Sequence, residues 1–239
     1  MKANDENGEN GGEGARGEIG AADRKKSIMI LDDHPLVCEG IAALIREDES
    51  LEVVAMFYTV ADAMQGLREQ LPDLLLLDIS LPKTNGLDVL KDLRAQHPEL
   101  DVLVVSMHDE NVYAEHAMRL GAKGYIMKQE ASDKIVEAIL QVLRGGVYAS
   151  PAILSRLLSR LSGNDGRQKP QTGLESLATR ELQVYTLIGE GCSTLEISEQ
   201  LKISPKTVQT HREHIKEKLG LKTSAELGHS AWTWRKAQE

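Results

Sequence analysis

Cysteine is scarce in this 239-residue chain: Cys38 and Cys192 stand far apart, without the spacing of a metal site or a disulfide framework. That scarcity excludes a stapled scaffold and fits a reducing compartment. Long apolar runs are missing too. Stretches such as Leu74–Leu77 and Val102–Val105 are strand-sized, against the roughly 20 residues needed to cross a bilayer. The opening MKANDENGENGGEGARGEIGAAD has no apolar centre and does not read as a secretory signal. These absences predict a cytoplasmic protein without membrane contact. Positive charge is in deficit, with 28 Lys and Arg against 37 Asp and Glu and a formal net charge of −9. A protein that coats nucleic acid by bulk attraction is therefore excluded. The deficit is uneven, because from Ser176 onward there are 9 basic and 8 acidic residues, a net of +1 that leaves −10 to the preceding part. Any nucleic-acid contact must come from local cationic and polar groups at the C-terminus.

What is present divides the chain. Residues 1–26 are rich in Gly, Glu and Asn with few apolar side chains, too few to offset the entropy of ordering, so a disordered acidic tail is predicted there. In 27–148, apolar runs at Ser27–Leu31, Val53–Phe57, Leu74–Leu77, Val102–Val105 and Gly124–Met127 alternate with amphipathic patterns near Leu36–Glu47, Val60–Gln70, Gly86–Gln96, Val112–Leu120 and Ser132–Leu143. Strands apolar on both faces, alternating with helices, predict an α/β fold: a doubly wound, five-stranded parallel sheet. A connector at 149–174 follows, with a short helix at Pro151–Leu161 and then the linker chemistry of SGNDGRQKPQTG. Residues 175–239 read as an all-α domain of four helices. Thr179 is a candidate cap for Arg180–Glu190, Ser193-Thr-Leu-Glu196 and Thr223-Ser-Ala-Glu226 are capping boxes, and Ser204-Pro205 opens a helix that stops at Gly220.

In a doubly wound sheet, ligands bind beyond the carboxyl ends of the strands. The rule selects Asp32 and Asp33 after the first strand, Asp78 after the third, Ser106 after the fourth and Lys128 after the fifth. Three crowded carboxylates repel one another and call for a hard cation such as Mg²⁺. Such a cation attracts a phosphoryl group, whose remaining oxygens a lysine and a hydroxyl can hold. Taken alone, Asp32 or Asp33 could equally be the N-cap of the helix beginning near Pro35. His34 has no partner at metal-ligand spacing and reads as a solvated surface residue.

The runs LDDHPLVCEG, LLLLDISLPKTNGL, VVSMHD and GAKGYIMK, in that order, resemble the receiver domain of bacterial two-component response regulators. The resemblance implies that Asp78 is the phosphoacceptor, that Asp33 and the Ser80 backbone carbonyl bind Mg²⁺ directly together with Asp78, and that Asp32 acts through bound water. It also implies that Lys128 pairs with the phosphoryl group, that Ser106 is the switch hydroxyl, that Tyr125 changes rotamer as Ser106 moves inward, and that Pro82 and Gly86 shape the loop after the acceptor. Cys38 stands where similar sequences are commonly basic, so one surface contact is expected to differ.

In the C-terminal part, Ile197 and Leu201 give one helix an apolar face, Lys202-Ile203-Ser204 forms a turn, and Val208, Ile215 and Leu219 give the next helix a buried stripe. Lys206, Thr207, Gln209, Thr210 and Glu213 then fall largely on the outer side. The whole segment resembles the helix-turn-helix domain of LuxR-type regulators, in the NarL/FixJ-type arrangement. By that resemblance Gln209, Thr210 and Glu213 are candidates for base edges, and Lys206, Thr207, His211 and Arg212 for phosphates. Thr194-Leu195 stands where Asn-Lys is frequent, and Gln209 where Lys is frequent, so backbone affinity is expected to be modest. His211 and His214 lack the further ligands of a zinc site, and Trp232 and Trp234 read as ordinary packing residues.

The two resemblances imply a non-enzymatic transcription regulator that a sensor histidine kinase phosphorylates on Asp78, and that binds double-stranded DNA as a homodimer when active. An aspartate-dependent phosphohydrolase is disfavoured because Ile79-Ser80, not a second acid two residues on, follows Asp78. A phosphorylation-independent regulator, using the receiver only for dimerisation or protein docking, is the alternative.

Overall fold

The computed structural model describes residues 24–81, 84–161 and 173–237. The tail expected at 1–26 falls almost wholly outside this range, as do most of the linker and Pro82.

Five parallel strands, β1 (Lys26–Leu31), β2 (Leu51–Phe57), β3 (Leu74–Leu77), β4 (Asp101–Ser106) and β5 (Gly124–Met127), form one sheet in the order β2-β1-β3-β4-β5. Their crossovers are α1 (Pro35–Arg46), α2 (Val60–Glu69), α3 (Gly86–Gln96) and α4 (Glu110–Arg119), and α5 (Lys128–Leu143) follows β5. Side chains alternate across each strand, so one face presents Ile28, Ile30, Leu74, Leu76, Leu103 and Val105 to Ile41, Ile45, Ile135 and Ile139. The other face presents Met29, Leu31, Leu75, Leu77, Val102 and Val104 to Leu67, Leu90, Leu93 and Ala117. Leu74–Leu77 is buried at all four positions, which is what a central strand covered on both faces requires. Strand order changes direction between β1 and β3, and this opens the crevice at their carboxyl ends where Asp32 and Asp78 emerge.

Asp73, just ahead of β3, ties the start of β1 to the sheet. Its carboxylate accepts from Lys26 Nζ at 2.9 Å, the Ser27 amide at 2.9 Å and the Ser27 hydroxyl at 2.8 Å. Burial opposes ionisation, but these donors outweigh it and hold the Asp73 pKa well below the usual carboxylate range. A carboxyl depressed in the folded state contributes stability above its unfolded pKa of about 3.9 and loses it as pH falls below that value. Asp73→Ala is therefore expected to cost about 2 kcal/mol at pH 7, from lost charge-assisted hydrogen bonds. In urea melts the difference from wild type should shrink toward pH 3. A gap that stays constant with pH would contradict this account.

Beyond the sheet, α6 (Pro151–Leu161) lies along α4, with Ile153 fully buried and the Arg156 guanidinium donating to the Asn111 side-chain oxygen at 2.7 Å and backbone carbonyl at 3.2 Å. A 3₁₀ turn at Leu174–Ser176 leads to α7 (Thr179–Gly189), α8 (Thr194–Gln200), α9 (Pro205–Leu219) and α10 (Ser224–Lys236). Ser193, Ser204 and Thr223 each accept a hydrogen bond from the amide three residues on, as the capping patterns predict. Gly220 takes the left-handed conformation (φ 68°) that ends α9. Thr179 departs from expectation. The N-cap of α7 is Ala178, without a side-chain cap, and the Thr179 hydroxyl is engaged by His116 of α4 instead, at 2.9 Å. Similarly α5 begins at Lys128, four residues before the predicted start, with no capping side chain.

Candidate functional site

The loops after β1, β3, β4 and β5 bring Asp32, Asp33, Asp78, Ser106 and Lys128 to one edge of the sheet. Asp32 and Asp78 are each 2% exposed and Ser106 is fully buried. Lys128 Nζ, projecting from the first turn of α5, lies 2.5 Å from Asp32 Oδ2 and 2.8 Å from Asp78 Oδ2. Burial pushes the Asp78 carboxyl above its ordinary pKa, against the pull of Lys128. Burial also opposes the Lys128 charge, yet Asp78 and Asp32 together hold its pKa above the ordinary lysine value. One ammonium thus serves two buried carboxylates, and Asp33 lies close to both acids.

Ser80 donates its amide to Asp78 Oδ1 at 2.8 Å, and its hydroxyl sits 3.3 Å from that of Ser106. Behind them the chain turns so tightly that a Cβ on Gly86 would meet the Ile79 Cα at 2.2 Å, which explains glycine there. Tyr125 is buried, and its hydroxyl donates to the His108 carbonyl at 2.8 Å. The Tyr125 ring therefore occupies an inward position beside Ser106.

The acids can accept a cation. Asp32, Asp33, His34 and Asp78 each offer a ligand atom within 4.8 Å of the others. Asp33 Oδ1 is shut off from solvent and makes no hydrogen bond, although His34 Nδ1 is 3.0 Å away. A buried carboxylate oxygen left in this condition is costly unless an ion or water meets it. Oxygen donors of this kind fit a hard divalent ion such as Mg²⁺, which receiver domains typically bind, and which would supply charge neutralisation for a phosphoryl oxygen. His34, read from the sequence as a surface residue, is largely exposed but also leans on the acid pair. Cys38 is not on the surface. It is fully buried on the inner face of α1, its thiol directed at the Asp32 carbonyl at 3.5 Å, and burial raises its pKa to about 11.

The second surface is made by α8, the turn at Leu201–Ser204 and α9. Ile197, Leu201, Val208 and Ile215 are buried as predicted, while Leu219 is half-buried. Lys206, Thr207, Gln209, Thr210 and Glu213 are exposed, and His211 and Arg212 are half-buried. The outer face of α9 is pre-ordered by pairs one turn apart: Gln209 Nε2 donates to Glu213 Oε1 at 2.7 Å, and Lys216 meets Glu213 at 2.8 Å. His214 faces Glu181, at 3.6 Å.

A set of contacts between the two regions was not visible in the sequence. Residues of α7 and α10 meet α3 and α4. Tyr113 of α4 shares a 2.8 Å hydrogen bond with Thr186, and Arg180 meets Asp88 at 3.4 Å. Trp234 lies 6.2 Å from the Tyr113 ring and 5.6 Å from that of Tyr185. A cleft of about 540 Å³ runs from Asp78 and Lys128 past His108 to Glu190, Trp234 and Arg235. Burial, then Lys128 and Arg235, push the His108 imidazole down to about 4, so the ring is neutral near pH 7. Local patterns carry no sign of such contacts, because each residue reads separately as an ordinary core or surface position.

A doubly wound receiver-like sheet with an acid pocket, joined to a helix-turn-helix, is the architecture of a DNA-binding response regulator. Family profiles agree: one described as response regulator receiver domain matches residues 28–140, and one described as bacterial regulatory proteins, luxR family, matches 175–231. The chain is 34% identical over 211 residues to the transcriptional regulatory protein DegU of Brevibacillus brevis, covering 83% of this chain and 89% of that one. It is likewise 34% identical to the oxygen regulatory protein NreC of Staphylococcus carnosus, covering 84% and 94%. Among solved structures it is similar to RcsB from Salmonella enterica serovar Typhimurium bound to promoter rprA with the phosphomimetic BeF₃⁻, with TM-score 0.69, 25% identity, and coverage of 86% and 98%. The chain belongs to the two-component response regulators that carry a luxR-family DNA-binding domain. No helix among the described residues is long and apolar enough to cross a membrane.

Proposed function

We propose that Asp78 accepts a phosphoryl group from a sensor histidine kinase, and that this modification controls binding of the α9 surface to promoter DNA in the cytoplasm. The observation that carries the reading is Lys128 Nζ within 2.8 Å of buried carboxylate oxygens of both Asp78 and Asp32, at a strand edge it shares with Ser106. In the transfer, an Asp78 carboxylate oxygen forms the new O–P bond as the N–P bond of a phosphohistidine breaks and the imidazole leaves. Lys128 then holds one phosphoryl oxygen and the Ser106 hydroxyl turns to another; Asp33, Asp78 and the Ser80 carbonyl would hold Mg²⁺, with Asp32 acting through water, and the ion would neutralise phosphoryl charge. Tyr125 packs behind Ser106 as it turns. The boundaries 27–148 and 175–239 describe the input and output domains, joined by 149–174.

At the output end, Gln209, Thr210 and Glu213 face base edges and Lys206, Thr207, His211 and Arg212 face phosphates, two copies reading a pair of half-sites. Gln209 and Glu213 must exchange their mutual hydrogen bond for base contacts, which favours discrimination over raw affinity. The RcsB structures, solved on promoter DNA with beryllofluoride, support this division of labour by similarity. The test is DNA affinity and oligomeric state of the full chain with and without Mg²⁺ and beryllofluoride. A rise in both is expected. Identical values under the two conditions would favour a receiver that serves only as a docking surface.

A further inference from the structure

The residue between the switch hydroxyl and the docked C-terminal helices is His108. Its backbone is held at both polar atoms by the switch pair: the amide donates to Ser106 Oγ at 3.2 Å, and the carbonyl accepts from Tyr125 at 2.8 Å. Its ring lies flat on Tyr113, centroids 4.4 Å apart and planes 14° apart. Tyr113 in turn faces Trp234 of α10 nearly in parallel, 6.2 Å away at 15°, and its hydroxyl is bonded to Thr186 of α7. Parallel offset rings at these separations attract beyond their buried area.

We propose that His108 ties the phosphorylation state of the receiver to the docking of the DNA-binding domain, through the stack His108–Tyr113–Trp234. The inference rests on Asp78 being the phosphoacceptor. As the side chains stand, the Ser106 hydroxyl accepts from the His108 amide and lies beside Ser80. A phosphoryl group on Asp78 presents acceptor oxygens that draw the Ser106 hydroxyl away. The His108 amide then loses its acceptor while Tyr125 still holds the carbonyl, so the peptide turns about that bond and the ring leaves Tyr113. Tyr113 loses one of its two stacking partners, and the hold on Trp234 and Thr186 weakens. The exposed face of α9 is not covered in the docked arrangement. The stack therefore acts on the position of the whole output domain rather than by masking its DNA-facing side chains.

Trp232 is half exposed and would obscure the signal, so the test uses the full-length Trp232→Phe protein, in which Trp234 is the single tryptophan. Beryllofluoride with Mg²⁺ is expected to move Trp234 emission to longer wavelength. In the same background His108→Ala should start at the longer wavelength and respond little further, whereas His108→Phe, which keeps a flat ring, should behave as the parent does. Bound beryllofluoride is followed separately by its fluorine resonance. Absence of the bound resonance in the parent would defeat the phosphoacceptor assignment. A bound resonance without any change in Trp234, a full parent-like response in His108→Ala, or an undocked His108→Phe would each overturn the stack as the link. Circular dichroism melts of both variants guard against a folding defect, and amide exchange on α4 and α10 gives a second readout of docking independent of the fluorophore.

Discussion

Asp78→Asn is expected to lose phosphoryl uptake completely and, without divalent cation, to melt at a higher temperature than the wild type. The two effects share one cause. Asp32 and Asp78 share a single ammonium with Asp33 close by, and burial already pushes the Asp78 carboxyl above its ordinary pKa. A carboxyl with a folded pKa above its unfolded value weakens the fold at neutral pH, because ionising it costs more inside than in the unfolded chain. Asparagine keeps the shape and can still accept from the Ser80 amide, but it removes that charge. Lys128 keeps Asp32 as its partner, so the change removes one of two crowded carboxylate charges without stranding the ammonium. Mg²⁺ should stabilise the wild type more than the variant, narrowing the gap between their melting temperatures by raising that of the wild type. Label transfer from acetyl phosphate, together with melts at several Mg²⁺ concentrations, measures both. Retention of label at the wild-type level would remove Asp78 from the role given to it.

The second large effect is expected at Ile215→Ala. Ile215 is fully buried in α9, in the apolar core shared with α7, α8 and α10. Truncating such a side chain costs about 2–5 kcal/mol, from lost transfer energy and the cavity left behind. Small domains hold little reserve, since stability scales with the surface they can bury. The C-terminal helices should therefore open while the sheet stays intact, so DNA binding disappears and beryllofluoride uptake at Asp78 persists. Amide exchange resolved along the chain would register this as lost protection confined to α7–α10. Equal loss of protection in β1–β5 would mean that the two regions unfold as one unit.

Much of this molecule is legible in its residues. The strands at Leu74–Leu77 and Gly124–Met127 and the helix at Gly86–Gln96 have the limits their patterns predict, because apolar runs bounded by polar strand ends and a capping Asn85 leave few alternatives. The convergence of Asp32, Asp78, Ser106 and Lys128 also follows from local pattern, since in a parallel sheet every strand ends at the same edge. The same holds for the α9 stripe, whose spacing selects Val208 and Ile215 for the core and leaves Gln209, Thr210 and Glu213 outside.

Other features needed the third dimension. Helix α5 starts at Lys128 without a capping side chain because the carboxylates of two other strands hold the ammonium there. Thr179 leaves its capping role for a histidine 63 positions away. Cys38, expected to alter a surface contact, faces inward because its place on α1 is set by the register of that helix on the sheet. His34 joins the acid pair because its amide donates to Asp32 Oδ1 at 2.9 Å, a local turn after β1 that brings the ring onto both carboxylates.

By itself, then, the sequence determined the sheet, the pocket chemistry and the DNA-facing helix, each of which depends on periodicity or on a short motif. The packing of His108, Tyr113 and Trp234 was decided only by tertiary structure. These three residues lie in a loop and two helices that local pattern assigns separately, and aromatic rings carry no directional signal until the surfaces that bring them together exist.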